Sequence, residues 1–421
     1  MRLISSRFRS DWNQVLKEMS LLDKLLPFLI ILAMIIGILL SIYVPNSRRV
    51  FTSSDGENKL TTVSIPLTVG LIIMMVPPFC KVQYEKLLQL NKSSTRHTKY
   101  MQDILISLVL NWVVGPLLMF GLSWAVLFNE PEYRVGVIMI GMARCIAMVL
   151  LWNQLALGSN ELCAILVVLN SLLQIVLYAP YQILFCYVIT GEPIDFDSSV
   201  TMGDLFLMVL KNIAIFLAMP LAFGVLIRVV GLVTVGRETF ETKVMPWIGP
   251  WALAGLLYTI LIIFITKGDT FIHEIHESLK CLIPLSLYFL IMWFGTFFLM
   301  RFVTNYRNLR QYRAKNKHNE EEEVEEEGLL TCGCEEKLTI EQREKSHSLK
   351  CNANYAKTVT HSFTSASNNF ELSLAMAIAL YGDHSKQAIA AVYGPLIEVP
   401  ILLLLTFVAR YFKVRYVWHD D

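Results

Sequence analysis

Apolar residues in this chain run on in blocks of about 20, the length an α-helix needs to cross a bilayer. Such blocks lie near 25–44, 63–82, 104–128, 135–157 and 162–190, and again near 205–230, 246–266, 279–303, 357–382 and 388–412. Ten spans result, and the ninth is the unusual one. Its first half carries Thr358, Thr360, His361, Ser362, Thr364, Ser365, Ser367, Asn368 and Asn369, and only Leu372 to Leu380 reads as apolar helix. Charge placement supports the ninth crossing, because Lys and Arg collect on the cytosolic side of membrane proteins. Arg2, Arg7 and Arg9, then Lys81, Lys86 and Lys92, then Arg237 and Lys243, then Arg301 to Lys317, and finally Arg410, Lys413 and Arg415 fall on one side only if ten spans exist. The opposite loops carry acids instead, among them Glu130, Glu132, Glu192, Asp195, Asp269 and Glu277. Both termini are therefore expected in the cytosol.

The pattern predicts an all-α integral membrane protein. Ten spans divide as five and five, and an odd number per half turns the second half over, which is the inverted-repeat plan of many secondary transporters. The expected organisation is a cytosolic segment over 1–24, a first five-helix repeat over 25–190, a second, inverted repeat over 205–303 and 357–412, and a cytosolic tail over 413–421. The stretch 304–356 contains Glu320 to Glu323 and Glu325 to Glu327, and like charges in that density repel, so it is read as a disordered acidic loop.

Composition agrees and narrows the options. Of 421 residues, 55% are hydrophobic and 17% charged, where a soluble domain carries about 25% charged residues. The net charge is +1 and no basic face forms outside short loops, so nucleic-acid binding is disfavoured. Eight cysteines are scattered, which is not a disulfide framework. The first apolar run stands behind a charged segment and is long enough to span, unlike a cleaved signal.

Polar residues near the middle of spans are the candidate chemistry. Arg144 and Cys145 sit about ten residues into the fourth span, and an arginine at that depth costs roughly 2.5–3.5 kcal/mol on insertion scales, so it is kept for a cavity, a carboxylate or a ligand. The ninth span, the fourth's counterpart in an inverted repeat, has Asn368, Asn369 and Glu371 at similar depth. Polar interruptions in both predict broken helices four and nine that cross at the midplane and leave backbone groups for a small solute. Asn170 in the fifth span and Glu398 in the tenth add to the set, the latter between Pro395 and Pro400, which free nearby carbonyls. Two carboxylates against one arginine leave a charge unmatched, which suits proton exchange. Arg144 could equally be a structural partner of Glu371 or Glu398. Arg228 is expected to snorkel to the cytosolic interface, and Trp152 and Tyr288 are secondary candidates that could simply pack. Cys80, Cys163, Cys186 and Cys281 read as small buried hydrophobes.

Three stretches carry a family resemblance: Met142 to Asn153 (MARCIAMVLLWN), Ala366 to Ala375 (ASNNFELSLA) and Gly394 to Pro400 (GPLIEVP). They resemble the signatures of the arsenical resistance-3 family of arsenite efflux permeases, related to the bile acid:sodium symporters, and the likeness covers all ten spans. What the resemblance implies is plasma-membrane export of trivalent arsenic against proton entry, with antimonite a second candidate cargo, and with Cys145 and Glu371 essential. Arg144, Asn170, Asn369, Glu398 and Trp152 align with other sensitive family positions. The extended acidic loop departs from the compact prokaryotic pattern and points to a eukaryotic, fungal-type member. Arsenite is mainly a neutral trihydroxide with a soft centre, and cysteine is the soft ligand at hand. Asn369, Asn170 and Glu371 would meet its hydroxyls, and Glu371 or Glu398 would carry the proton. Cys332 and Cys334, with Cys351, could capture the metalloid from the cytosol, or be solvated loop cysteines without a role.

The alternatives are a sodium-coupled organic-anion transporter of the bile acid type, an intramembrane hydrolase with Cys145 as nucleophile and His361 as base, and a ligand-sensing receptor. The first leaves Cys145 without a task, the second lacks a well-placed histidine, and the third lacks an output domain. No cofactor and no resident metal are expected; the partners are arsenite, protons and the lipid bilayer. Nucleotide-binding glycine loops are absent.

Overall fold

The computed structural model describes residues 21–44, 65–84, 94–146, 148–190, 202–273, 275–303, 353–382, 385–416 and 418. The N-terminal segment up to residue 20, most of the acidic loop, and with it Cys332, Cys334 and Cys351, lie outside the described residues.

Among the described residues the chain is all-helical, and the one bridge with β geometry, between Arg144 and Asn368, is isolated. In chain order the helices are α1 (Leu21–Tyr43), α2 (Ile65–Lys81), α3 (94–126), α4 (Pro131–Met142), α5 (Met148–Leu155), α6 (Asn160–Val188), α7 (202–235) and α8 (237–273). They continue with α9 (Ile275–Val303, turning at 280–281), α10 (Tyr355–Ala366), α11 (Phe370–Tyr381) and α12 (Lys386–Arg415). Stretches of α3, α6, α7, α8, α9 and α12 are long and apolar enough to span, so this is a multi-pass membrane protein. Their outer faces expose large apolar side chains such as Leu105, Val176, Leu226 and Phe302, as lipid contact requires.

Two groups of helices emerge from the packing. α8 lies along α1 and α2, and α7 lies along α2. Gly255 makes the α8–α2 approach possible, since a Cβ there would stand 2.6 Å from the Met74 backbone nitrogen. In the other group α4 packs on α3 and α12, α11 on α12, and α10 on α5 and α6. Aromatic rings fasten α9 to this second group: Trp293 meets Phe363 at 5.8 Å and Phe297 meets Phe412 at 5.1 Å between ring centroids.

Prolines explain several irregularities. Pro116 has no N–H for the carbonyl of Trp112, so α3 passes through a π turn at Leu110–Val114, and the Tyr181 hydroxyl donates to that carbonyl at 2.7 Å. Pro77 and Pro78 likewise remove two donors near the end of α2.

The polar first half of the expected ninth span is helical and wholly buried from Thr358 to Ala366. Its hydroxyls satisfy themselves locally: Thr358 donates to the Asn354 carbonyl at 2.8 Å, Ser362 to Thr358 at 2.9 Å and Thr364 to Thr360 at 2.8 Å. That back-bonding is how so polar a helix tolerates burial.

Candidate functional site

Where the fourth span was expected, helix stops at Met142 and resumes at Met148; where the ninth was expected, it stops at Ala366 and resumes at Phe370. The two interruptions lie side by side. The Asn369 N–H donates to the Ala143 carbonyl at 3.1 Å, and Arg144 bridges Asn368. One turn into α11, the Ser373 hydroxyl donates to the Met139 carbonyl at 3.1 Å. Backbone freed in one break is thus paired in part by the other, and the Arg144 N–H is taken up by Gln174, since buried non-helical backbone must find partners.

Asn369 caps α11: its Oδ1 accepts the Leu372 N–H at 3.1 Å, and Glu371 sits in the first turn. The favoured N-cap side chain therefore aims the positive end of the α11 dipole at the crossing. Cys145, only 5% exposed, lies in the other interruption. A small cleft is lined by Cys145, Ile146, Met148, Asn369 and Glu371, together with Met75 and Pro78 of α2. It thus lies between the two helix groups.

The cleft holds three of the residues the sequence singled out, Cys145, Asn369 and Glu371. Glu398 is completely buried behind it on α12, where its Oε1 accepts a hydrogen bond from the Ser367 hydroxyl. Both carboxylates are within electrostatic range of the Cys145 thiol. The Asn369 Nδ2 is buried without a hydrogen-bond partner, and so is the Asn368 Nδ2.

Arg144 is also completely buried, but it does not ion-pair with either glutamate. Its Nη1 donates to the Tyr288 hydroxyl at 3.0 Å and its Nη2 to the Gly141 carbonyl, while its backbone N–H donates to Gln174 Oε1. Tyr288 in turn faces the Ser365 carbonyl at 3.3 Å and Asn368 Oδ1 at 3.4 Å. Tyr288 is therefore the polar link between α9 and both interruptions, a role its sequence position did not reveal.

Asn170 lies off the cleft and accepts from Trp112 Nε1 at 3.1 Å, which ties α6 to α3. Trp152 is buried on α5, also off the cleft, with its indole N–H unpartnered. Arg228 does not snorkel: at 1% exposure it donates to the Cys80 carbonyl at 2.9 Å and pairs with Glu241 at 2.8 Å, so α2, α7 and α8 satisfy its charge inside the protein. His361, the base that a hydrolase would need, faces Asp103 at 3.8 Å and does not line the cleft with Cys145. Cys80, Cys163, Cys186 and Cys281 are buried thiols.

Sequence reasoning did not anticipate Met75, Pro78 or Met148. One signal was available: Pro77 and Pro78 interrupt an apolar run as Pro395 and Pro400 do.

An arsenical-resistance protein Acr3 from Corynebacterium glutamicum is 34% identical over 393 residues, covering 93% of this chain and 89% of its own length. The chain belongs to the Acr3 arsenical-resistance family. A second Acr3 arsenical-resistance protein, from Alkaliphilus metalliredigens, is 25% identical over 83% of this chain and 82% of its own length. An uncharacterized transporter of Synechocystis is 26% identical over 93% of this chain and 89% of its own length. Residues 68–274 also match the sodium bile acid symporter family, so the chain's matches point to transporters.

Proposed function

We propose that this chain exports arsenite across the plasma membrane by proton antiport, through alternating access, and so confers arsenic resistance. The single observation that carries the reading is the cleft in which Cys145 stands beside Asn369 and Glu371, in a chain 34% identical to an Acr3 arsenical-resistance protein over 93% of its length. A neutral trihydroxide needs a soft contact for its central atom and polar partners for its hydroxyls. Cys145 supplies the first, and Asn369 Nδ2 and the Glu371 carboxylate supply the second. Glu371 or Glu398 carries the proton: the first lines the cleft with the thiol, and the second is buried on α12 with the Ser367 hydroxyl as its partner. Asn170 acts through α3 and α6 rather than on the cargo, consistent with its bond to Trp112. Antimonite, with the same valence and softness, is a second cargo.

In this reading α4 with α5, and α10 with α11, are the fourth and ninth of ten membrane helices, broken at the bilayer midplane in two inverted five-helix repeats. The paired interruptions and the capped N-terminus of α11 support it. The cleft's position between two helix groups gives alternating access its geometry: movement of one group past the other opens it to either side. Both termini are then cytosolic.

Everted vesicles test the coupling. Arsenite uptake should rise with an imposed inside-acid proton gradient, and uptake indifferent to that gradient removes the antiport. Cys145→Ser should abolish arsenite export with membrane abundance unchanged; retained resistance removes Cys145 from the site.

The match to the sodium bile acid symporter family favours a second reading, sodium-coupled organic-anion transport. Its anion would need Arg144, but that guanidinium is already engaged by Tyr288 and Gly141. Sodium dependence without proton dependence would select it.

A further inference from the structure

The lining of the cleft contains more sulfur than the cysteine alone. Met75 arrives from α2 and Met148 opens α5, and both stand on the same small cleft as Cys145. Its other lining groups are Pro78 and Ile146, which are apolar, and Asn369 and Glu371. Three of seven lining residues are therefore sulfur-bearing, from three separate segments. Methionine is often a core filler, and Met75 at 1% exposure could be one. One further fact favours an occupant. Asn369 lines this cleft, and its Nδ2 has no hydrogen-bond partner at 3% residue exposure; a buried donor left open costs about 1–3 kcal/mol unless something fills it.

We propose that Met75 and Met148 present thioether sulfurs beside the Cys145 thiol, making the cleft a mixed thiol–thioether site selective for soft, thiophilic ions. This rests on the proposed function and sharpens it, naming two residues that set specificity. A thioether is soft but neutral and carries no proton. It adds affinity for a soft centre without the proton release that each added thiol would require. It also avoids the tight hold of three thiols, which would defeat release. Because Met75 belongs to one helix group and Cys145 and Met148 to the other, sliding the groups apart withdraws a ligand and weakens the site as it opens.

The test uses the full chain in proteoliposomes, with Cys145 kept and the other seven cysteines replaced by serine. The readout is alkylation of Cys145 by a membrane-permeant maleimide. Silver ion alone, a soft monovalent probe, should protect Cys145. Met75→Leu and Met148→Leu, which preserve volume, should each raise the half-protecting silver concentration about tenfold, the effect of a single modest contact. Arsenite protection should weaken in the same variants. Leucine variants that need silver within about twofold of the parent would overturn the proposal. Silver X-ray absorption on the parent gives a reading independent of variants: more than one sulfur neighbour is expected, and one alone overturns it. Failure of arsenite to protect the parent would count against the export reading, whatever silver does.

Discussion

Arg144 and Cys145 are consecutive in one interruption, yet they face opposite chemical worlds. The arginine is fully buried, with the Gly141 carbonyl and the Tyr288 hydroxyl on its guanidinium and Gln174 on its backbone N–H. The cysteine borders a cleft lined by Asn369, whose amide nitrogen has no partner, and by a partly buried carboxylate. Satisfied polar groups rigidify a fold, while unsatisfied ones wait for a ligand or water. Both Nη atoms of the arginine are held while its Nε stays open, so the arginine side is the more fastened half of the crossing, its brace, and the cysteine side, which borders the cleft, its opening. Charge alone does not separate the two, since the charged residue of the pair is the one whose side chain the fold already engages.

Substitutions at the two positions should fail in different ways. Cys145→Ser removes export outright and leaves the fold, because a small side chain at the rim of a cleft packs little. Arg144→Ala should strongly destabilise the fold, costing about 2–4 kcal/mol from a cavity and two orphaned acceptors, the Tyr288 hydroxyl and the Gly141 carbonyl. Thermal stability of the purified protein, with arsenite protection of Cys145 measured on what remains, separates these outcomes. An Arg144→Ala chain as stable as the parent but unable to transport would break the comparison and return the arginine to the cargo.

Gly115 offers a milder strike on the brace. A Cβ at that position would stand 2.7 Å from Arg144 Nη1, so α3 can lie against the guanidinium only because residue 115 has no side chain. Gly115→Ala should force the arginine to shift and cost about 1–3 kcal/mol, as overpacking of a tight site does. The loss should be absent when Arg144 is already alanine, and a full additive loss in the double variant would show that the two do not act together.

Much of the architecture was legible in the chain, and the missing parts have one cause. Apolar runs marked the long helices because lipid contact demands them, and Arg144, Cys145, Asn369 and Glu371 stood out because polar residues within apolar runs are costly. The polar half of the ninth expected span defeated a hydropathy reading, since Thr358, Ser362 and Thr364 satisfy themselves on their own helix. Partners were illegible wherever they lie far away in sequence. Tyr288 reaches Arg144 across 144 positions, and nothing in either residue's neighbourhood announces the other. Met75 is an ordinary apolar residue in an apolar run until α2 brings it to the cleft. For the arginine the sequence offered a cavity, a carboxylate or a ligand, because formal charge is visible in a sequence, whereas carbonyl and hydroxyl acceptors supplied by the fold are not.

The smallest expected effect is the most discriminating for the brace. Tyr288→Phe keeps the ring and its edge contact with Phe289 at 5.8 Å, and deletes only the hydroxyl that joins Arg144 to the 365–368 turn. Hydrogen bonds between membrane helices average about 0.6 kcal/mol by double-mutant cycles and reach about 1.7, so a stability loss of about 1 kcal/mol is expected. If the hydroxyl only braces the crossing, arsenite export per folded molecule is unchanged and the coupling energy with Arg144→Lys is of the same size as the loss itself. If Tyr288→Phe instead cuts export while stability stays level, the arginine side takes part in transport directly. The boundary between brace and opening would then have to be drawn beyond Tyr288, not between residues 144 and 145.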